Sequence, residues 1–196
     1  DGSLYWYENG VKQGTEGRGK EIYDPASDAW YWLDSIDGGR KAAGKDVYQE
    51  SLAGEWGDAT NDAGERIGKW VRYDADGHMV KGWQTNDAGN YYFDMTYGTM
   101  AKGNTTIDGV PCSFDQTTGI GADCQWIEID GVKYWYEGGK RQGLEGRGKE
   151  IYDPASDAWY WLDSVDQGKM AASKDVYQES SGGKWVRYDE NGHMVK

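Results

Sequence analysis

Residues 17–34 read Gly17-Arg18-Gly19-Lys20-Glu21-Ile22-Tyr23-Asp24-Pro25-Ala26-Ser27-Asp28-Ala29-Trp30-Tyr31-Trp32-Leu33-Asp34, and the same 18 residues return unchanged from Gly146 to Asp163. Working outward, residues 5–51 and 134–180 keep a constant offset of 129 and share 38 of 47 positions. Lys69–Lys81 then matches Lys184–Lys196 at an offset of 115, so the first copy carries 14 extra residues, placed within about Leu52–Ile67. The expected organisation is hairpin repeats with a long-loop unit over 1–51, an insertion over 52–68, short hairpin repeats over 69–128, and the second long-loop copy with a terminal hairpin over 129–196.

A finer period runs inside the long one. Aromatic runs such as Tyr5-Trp6-Tyr7, Trp30-Tyr31-Trp32, Trp70-Val71-Arg72-Tyr73, Tyr91-Tyr92-Phe93 and Trp185-Val186-Arg187-Tyr188 recur about every 20 to 25 residues, each followed by a Gly or Asn turn and a short strand such as His78-Met79-Val80-Lys81. That grammar is a β-hairpin signature. No segment sustains a 3.6-residue apolar period, and glycine is too frequent for helix. A lone hairpin is marginal in water, whereas stacked hairpins share a continuous core. The expected fold is all-β, an elongated solenoid of stacked β-hairpin repeats.

Composition agrees by an unusual route. Leu, Ile, Val and Phe together are only 25 of 196 residues and the net charge is −13, a balance typical of disorder. Yet there are 11 Trp and 15 Tyr, so the apolar area resides in rings that each bury roughly 150–250 Å². The negative charge argues against nucleic acid and anionic membrane surfaces. No apolar run is long enough to insert in a membrane. With an abrupt start at Asp1-Gly2 and a stop at Lys196 in mid-pattern, the chain is expected to be a piece of a larger exported protein. Cys112 and Cys124 are expected to pair as a local disulfide.

No catalytic set emerges. His78 and His193 occupy equivalent repeat positions, which marks them as structural, and the recurrent carboxylates Asp24/Asp153, Asp34/Asp163 and Asp74/Asp189 read as turn residues. Asp24-Pro25-Ala26-Ser27-Asp28 lacks calcium-loop spacing, so neither a metal nor a cofactor is expected.

Residues 82–103, from Gly82-Trp83 through Tyr91-Tyr92-Phe93-Asp94 to Gly98-Thr99-Met100 and Gly103, closely resemble one cell-wall-binding repeat of the choline-binding type. Lys69–Trp83 fits the same pattern, and Ile107-Asp108-Gly109 with Ile129-Asp130-Gly131 open degenerate versions. The resemblance implies a non-catalytic module of Gram-positive surface proteins, extracellular and cell-wall associated, that attaches a larger exported protein to its polymer. The implied partner is choline-bearing teichoic acid or a glucan-type polysaccharide, held by Trp and Tyr between successive hairpins. The alternative is a structural stalk or protein-interaction module whose rings serve only stacking.

Strand alternation selects the candidate ligand-facing rings. Trp30 and Trp32 share a face opposite Tyr31 and Leu33, as Trp159 and Trp161 do opposite Tyr160 and Leu162; Trp70 and Arg72 face away from Val71 and Tyr73. The resemblance adds Trp83 beside its turn, and Tyr91 and Trp185 complete the set. A quaternary ammonium gains roughly 0.5–2 kcal/mol per ring in an aromatic box; a sugar could instead lie on a Trp face. Asn90, Lys133 and Leu4 occupy the first triplet position, where choline binders place an aromatic, and Arg72 and Arg187 share faces with Trp70 and Trp185. These departures favour a sugar or polysaccharide, or empty pockets, over a row of choline sites, whereas the acidic charge of the chain favours a cation, so both ligand classes stay open.

Overall fold

The computed structural model describes residues 2–50, 68–179 and 182–195. The expected insertion falls on 52–67, outside the described residues. Among the described residues every regular element is a strand, and no helix is present to cross a membrane. The chain packs as two compact units, Asp1–Thr85 with Tyr91–Ala101, and Asn86–Asn90 with Lys102–Lys196.

The unit of construction is the antiparallel hairpin. In the first unit Lys20–Asp24 pairs with Ala29–Asp34, and Lys45–Gln49 with Lys69–Tyr73. Gly82–Asn86 pairs with Gly89–Phe93, a hairpin whose tip groups with the second unit. In the second unit the pairs are Gly103–Ile107 with Val110–Phe114, Gln125–Ile129 with Val132–Glu137, Gly148–Asp153 with Ala158–Asp163, and Lys174–Gln178 with Lys184–Tyr188. The long-loop unit expected over 1–51 contains, among its described residues, the complete hairpin of Lys20–Asp24 with Ala29–Asp34 and Lys45–Gln49, the first strand of the next.

Stacking comes from the short strand after each turn, which bonds to two hairpins at once. Met79 bridges to Tyr73 of its own hairpin and donates its backbone N–H to the Trp30 carbonyl at 2.8 Å. Met100 does the same with Phe93 and Trp70, and Met194 with Tyr188 and Trp159. Gly121 bridges to Phe114 and donates to Asn90 O at 2.7 Å. At these four segments a backbone bond ties a hairpin to the one before it.

The turns are fixed by aspartates. Asp74 Oδ1 accepts from the backbone N–H of Asp76 and His78, and Asp189 Oδ1 from Asn191 and His193. Asp115 accepts from the N–H of Thr117 and Thr118, and those bonds, Thr118's foremost, hold its carboxyl below the usual carboxylate range. These carboxylates are engaged in their own turns, as the sequence suggested.

The core is aromatic and duplicated. Trp32, Ala42, Val47, Val71 and Tyr73 form one cluster, capped by Met79; Trp161, Ala171, Val176, Val186 and Tyr188 form its counterpart, capped by Met194. Within each, a buried glutamine amide donates to a buried phenol at 2.8 Å, Gln49 to Tyr73 and Gln178 to Tyr188. The expected disulfide is not formed. Cys112 sits buried on its strand with Sγ toward the Val110 carbonyl, whereas Cys124 is exposed beside Asp123, so the two free thiols lie in different environments.

Candidate functional site

Four hairpins place a tyrosine directly across from a tryptophan on their outer face. The registers Tyr23↔Trp30, Tyr48↔Trp70, Tyr152↔Trp159 and Tyr177↔Trp185 set each pair side by side. The ring centroids lie 5.3–5.4 Å apart with interplanar angles of 46–54°. All eight rings are exposed, Trp30 at 38%, Trp159 at 43% and Trp185 at 72%. Cross-strand aromatic pairs stabilise a sheet by a few tenths to about 1 kcal/mol. Here they also leave large ring faces in water, which makes each pair an aromatic platform. The phenols are oriented locally: Tyr23 donates to Asp28, Tyr152 to Asp157 at 2.5 Å, and Tyr48 accepts from Gly68 N–H at 2.9 Å. The carboxylates beside Tyr23 and Tyr152 raise both phenol pKa values.

One platform borders a crevice. Trp30 and Trp32 line a cavity of about 510 Å³ with Met79, Thr96 and Tyr97, flanked by Arg18, Lys20, Glu21 and Lys69. Exposed Trp30 and Tyr97 supply ring surface and Met79 a soft apolar floor. The buried Lys69 amine donates to the Tyr97 carbonyl at 2.8 Å and reaches Glu21 at 3.5 Å. Burial pulls its pKa down, against the pull of Glu21. The lysine thus fixes the backbone that carries Tyr97. The wall is mixed, with ring faces, amines, a guanidinium, a carboxylate and a hydroxyl, suited to a ligand with a flat apolar face and several polar substituents.

Of the residues expected to meet ligand, Trp30, Trp70, Trp159 and Trp185 stand on these platforms. Trp32 and Trp161 are 3% exposed and belong to the two core clusters, because the next hairpin covers the face they share with Trp30 and Trp159. Only the rim of Trp32 reaches the crevice. Trp83 is half-buried, meeting Tyr92 edge-on at 5.3 Å. Tyr91 is buried, and Arg72 sets its guanidinium 4.3 Å from the Tyr91 centroid and 5.2 Å from that of Phe93. Arg72 is itself held by Asp46 at 2.7 and 2.9 Å. Arg141 lies 3.8 Å over Tyr134 in the same manner. At these rings the chain's own cation occupies the position an ammonium ligand would take.

The partners Tyr23, Tyr48, Tyr152 and Tyr177 were missed by sequence reasoning, as were Met79 and Tyr97. Tyr23 and Trp30 lie at equal distances from the centre of the Asp24–Ala29 turn, a symmetry visible in the sequence once the hairpin is placed. Tyr97 carries no such signal, since it reaches the crevice only through stacking. His78 and His193 pack edge-on against Tyr31 and Tyr160 at 5.3 Å, beside the turn aspartates, a structural setting.

No family model and no curated protein matches the chain. Its fold is that of solved choline-binding modules. It is similar to the modular autolysin LytC from Streptococcus pneumoniae, at 23% identity and a TM-score of 0.61, over 97% of this chain and 37% of that one. LytC has also been solved with a synthetic peptidoglycan ligand. The chain is likewise similar to CbpF in complex with ipratropium, at 21% identity and a TM-score of 0.61, over 97% of this chain and 57% of that one. Choline-binding protein F from Streptococcus pneumoniae, in the presence of a tetrasaccharide-pentapeptide peptidoglycan analogue, gives a TM-score of 0.58 at 21% identity. The chain spans well under two thirds of each of these proteins.

Proposed function

We propose that the chain is a non-catalytic module that binds a cell-wall glycan and tethers a larger exported protein to the bacterial surface. The observation that carries this reading is the set of four outward Tyr–Trp platforms, one bordering the Trp30–Met79–Tyr97 crevice. Exposed indoles cost solvation and contribute little to the fold, so their repetition on one kind of position is best accounted for by stacking on a ligand. The shared fold with choline-binding modules supports attachment to a wall polymer. Internal guanidiniums over Tyr91 and Tyr134, and three cationic side chains around the crevice, favour a neutral sugar over the choline of a teichoic acid.

The test is calorimetric titration with α-glucan oligosaccharides, soluble peptidoglycan fragments and choline, alongside pull-down on purified Gram-positive cell walls. Saturable heat with a glycan, reduced at least roughly ten-fold by Trp30→Ala, is the expected result. Heat with choline alone would replace the glycan with teichoic acid as the polymer. No heat with any of them and no retention on walls would leave the stalk reading.

A further inference from the structure

The crevice beside Trp30 contains a carboxylate whose capacity to accept hydrogen bonds the protein leaves largely open. Glu21 stands opposite Trp32 in its hairpin register, so its side chain shares the face that lines the crevice. Both of its contacts are long and fall on one oxygen: Oε1 accepts from Lys69 Nζ at 3.5 Å and from the Tyr73 phenol at 3.5 Å. Among the described residues no donor reaches Oε2. An ionised carboxylate has about four acceptor positions and nothing to donate.

The second copy bonds the same carboxylate more tightly. Glu150 accepts from the Gln178 amide at 2.7 Å and from the Tyr188 phenol at 3.4 Å. In the first copy the Gln49 amide donates to Tyr73, and Glu21 has the buried Lys69 amine beside it instead. That ammonium offsets the charge of Glu21, so the pair exerts little pull on a further cation. A quaternary ammonium, in any case, has no proton to give to Oε2. Around the carboxylate stand the exposed Trp30 ring, the Met79 thioether and the Thr96 hydroxyl. The unmet requirement of this wall is therefore a neutral O–H or N–H donor carried on a body that can lie against a ring.

We infer that Glu21 sets the specificity of the crevice, selecting a glycan with free ring hydroxyls, of glucan type, over one whose rings carry acetamido groups. A pyranose lying on Trp30 directs its hydroxyls outward from the ring edge, and these donate to Oε2. Bonds of this kind to a charged acceptor are short and about twice as strong as neutral ones. An acetamido group offers one N–H together with a carbonyl, and that carbonyl is an acceptor set against an acceptor-only side chain. Glu21 touches the ligand directly, whereas Lys69 acts as a positioning residue that holds Glu21 and the Tyr97 backbone. The selection presupposes that the crevice binds glycan, as proposed, and narrows the class of glycan it takes.

The experiment titrates the full chain and its Glu21→Gln variant with three probes: an α-glucan oligosaccharide, the same oligosaccharide O-methylated throughout, and a soluble peptidoglycan fragment. The wild type is expected to bind the α-glucan at least roughly ten-fold more tightly than either of the others. Glu21→Gln is expected to weaken α-glucan binding at least roughly ten-fold while changing that of the methylated sugar by less than about two-fold. Methylation alters the ligand and leaves the protein untouched, so the wild-type order of the three probes decides alone if the variant fails to fold. Equal losses on both sugars, no loss on either, or a wild type that binds the peptidoglycan fragment as tightly as the α-glucan overturns the role of Glu21. Glycan binding that still depends on Trp30 would then survive it. Failure of all three probes to bind overturns the glycan reading and the role of Glu21 together.

Discussion

At the scale of single residues, position within a turn decides tolerance. Gly143 has φ of +75°, and a Cβ there would fall 2.4 Å from Leu162 Cβ, in the packed core. Gly146, three residues on, has φ of +59° but nothing within 4 Å of such a Cβ. Gly146→Ala is expected to cost about 1–2 kcal/mol from the left-handed backbone alone. Gly143→Ala adds a clash with a fully buried side chain and is expected to cost roughly 3 kcal/mol or more. Denaturant midpoints of the two variants, compared at equal slope, check the order. Parity along a strand was legible at this scale for Trp70 and Arg72, which face away from buried Val71 and Tyr73. It misled for Trp32, because alternation tells which face a ring occupies and not whether another hairpin covers that face.

At the scale of the hairpin, the same sequence run supplies both core and platform. Trp159 and Trp161 are two residues apart, yet Trp161 packs among Ala171, Val176, Val186 and Tyr188 while Trp159 stands against exposed Tyr152. Trp161→Ala is expected to destabilise by about 3–5 kcal/mol. Trp159→Ala is expected to cost no more than about 1 kcal/mol and to lower retention on cell-wall glycan instead. Thermal unfolding and a wall-binding assay on both variants separate the two effects. The hairpins themselves were readable from an aromatic run, a Gly or Asn turn and a short strand. Their stacking was not, because the bond from Met79 N–H to Trp30 O depends on backbone and leaves no trace in side-chain identity. For the same reason Tyr97 could not be assigned to the crevice of Trp30 beforehand.

At the scale of the molecule, the duplicated cores respond together to pH. Burial first, and then Glu21 and Glu150, push the Tyr73 and Tyr188 phenols well above the ordinary tyrosine value. In the unfolded chain both titrate near pH 10. Their contribution is therefore full below about pH 10 and is lost as the pH rises beyond it, since only the unfolded state then releases those protons. Alkaline titration is expected to leave Tyr73 and Tyr188 silent until the chain unfolds. Tyr73→Phe and Tyr188→Phe together are expected to flatten the alkaline loss of stability, measured by denaturation across that range. The repeat and the all-β class were plain in the sequence, because duplication and hairpin grammar are local properties.

The identity of residues 17–34 with 146–163 has a kinetic side. A bridging segment such as Met79 seats on a backbone that exists twice, since Trp30 and Trp159 offer the same carbonyl in the same surroundings. Docking onto the wrong copy would forfeit little contact energy and cost chiefly the entropy of a longer loop. The distinguishing features are few: Lys69 is buried onto Tyr97 where its counterpart Lys184 is exposed. During synthesis the first copy emerges and closes before a rival acceptor exists. A chain refolded whole from denaturant has no such order of appearance, so cross-copy traps are the hazard this architecture accepts for building with one hairpin used twice.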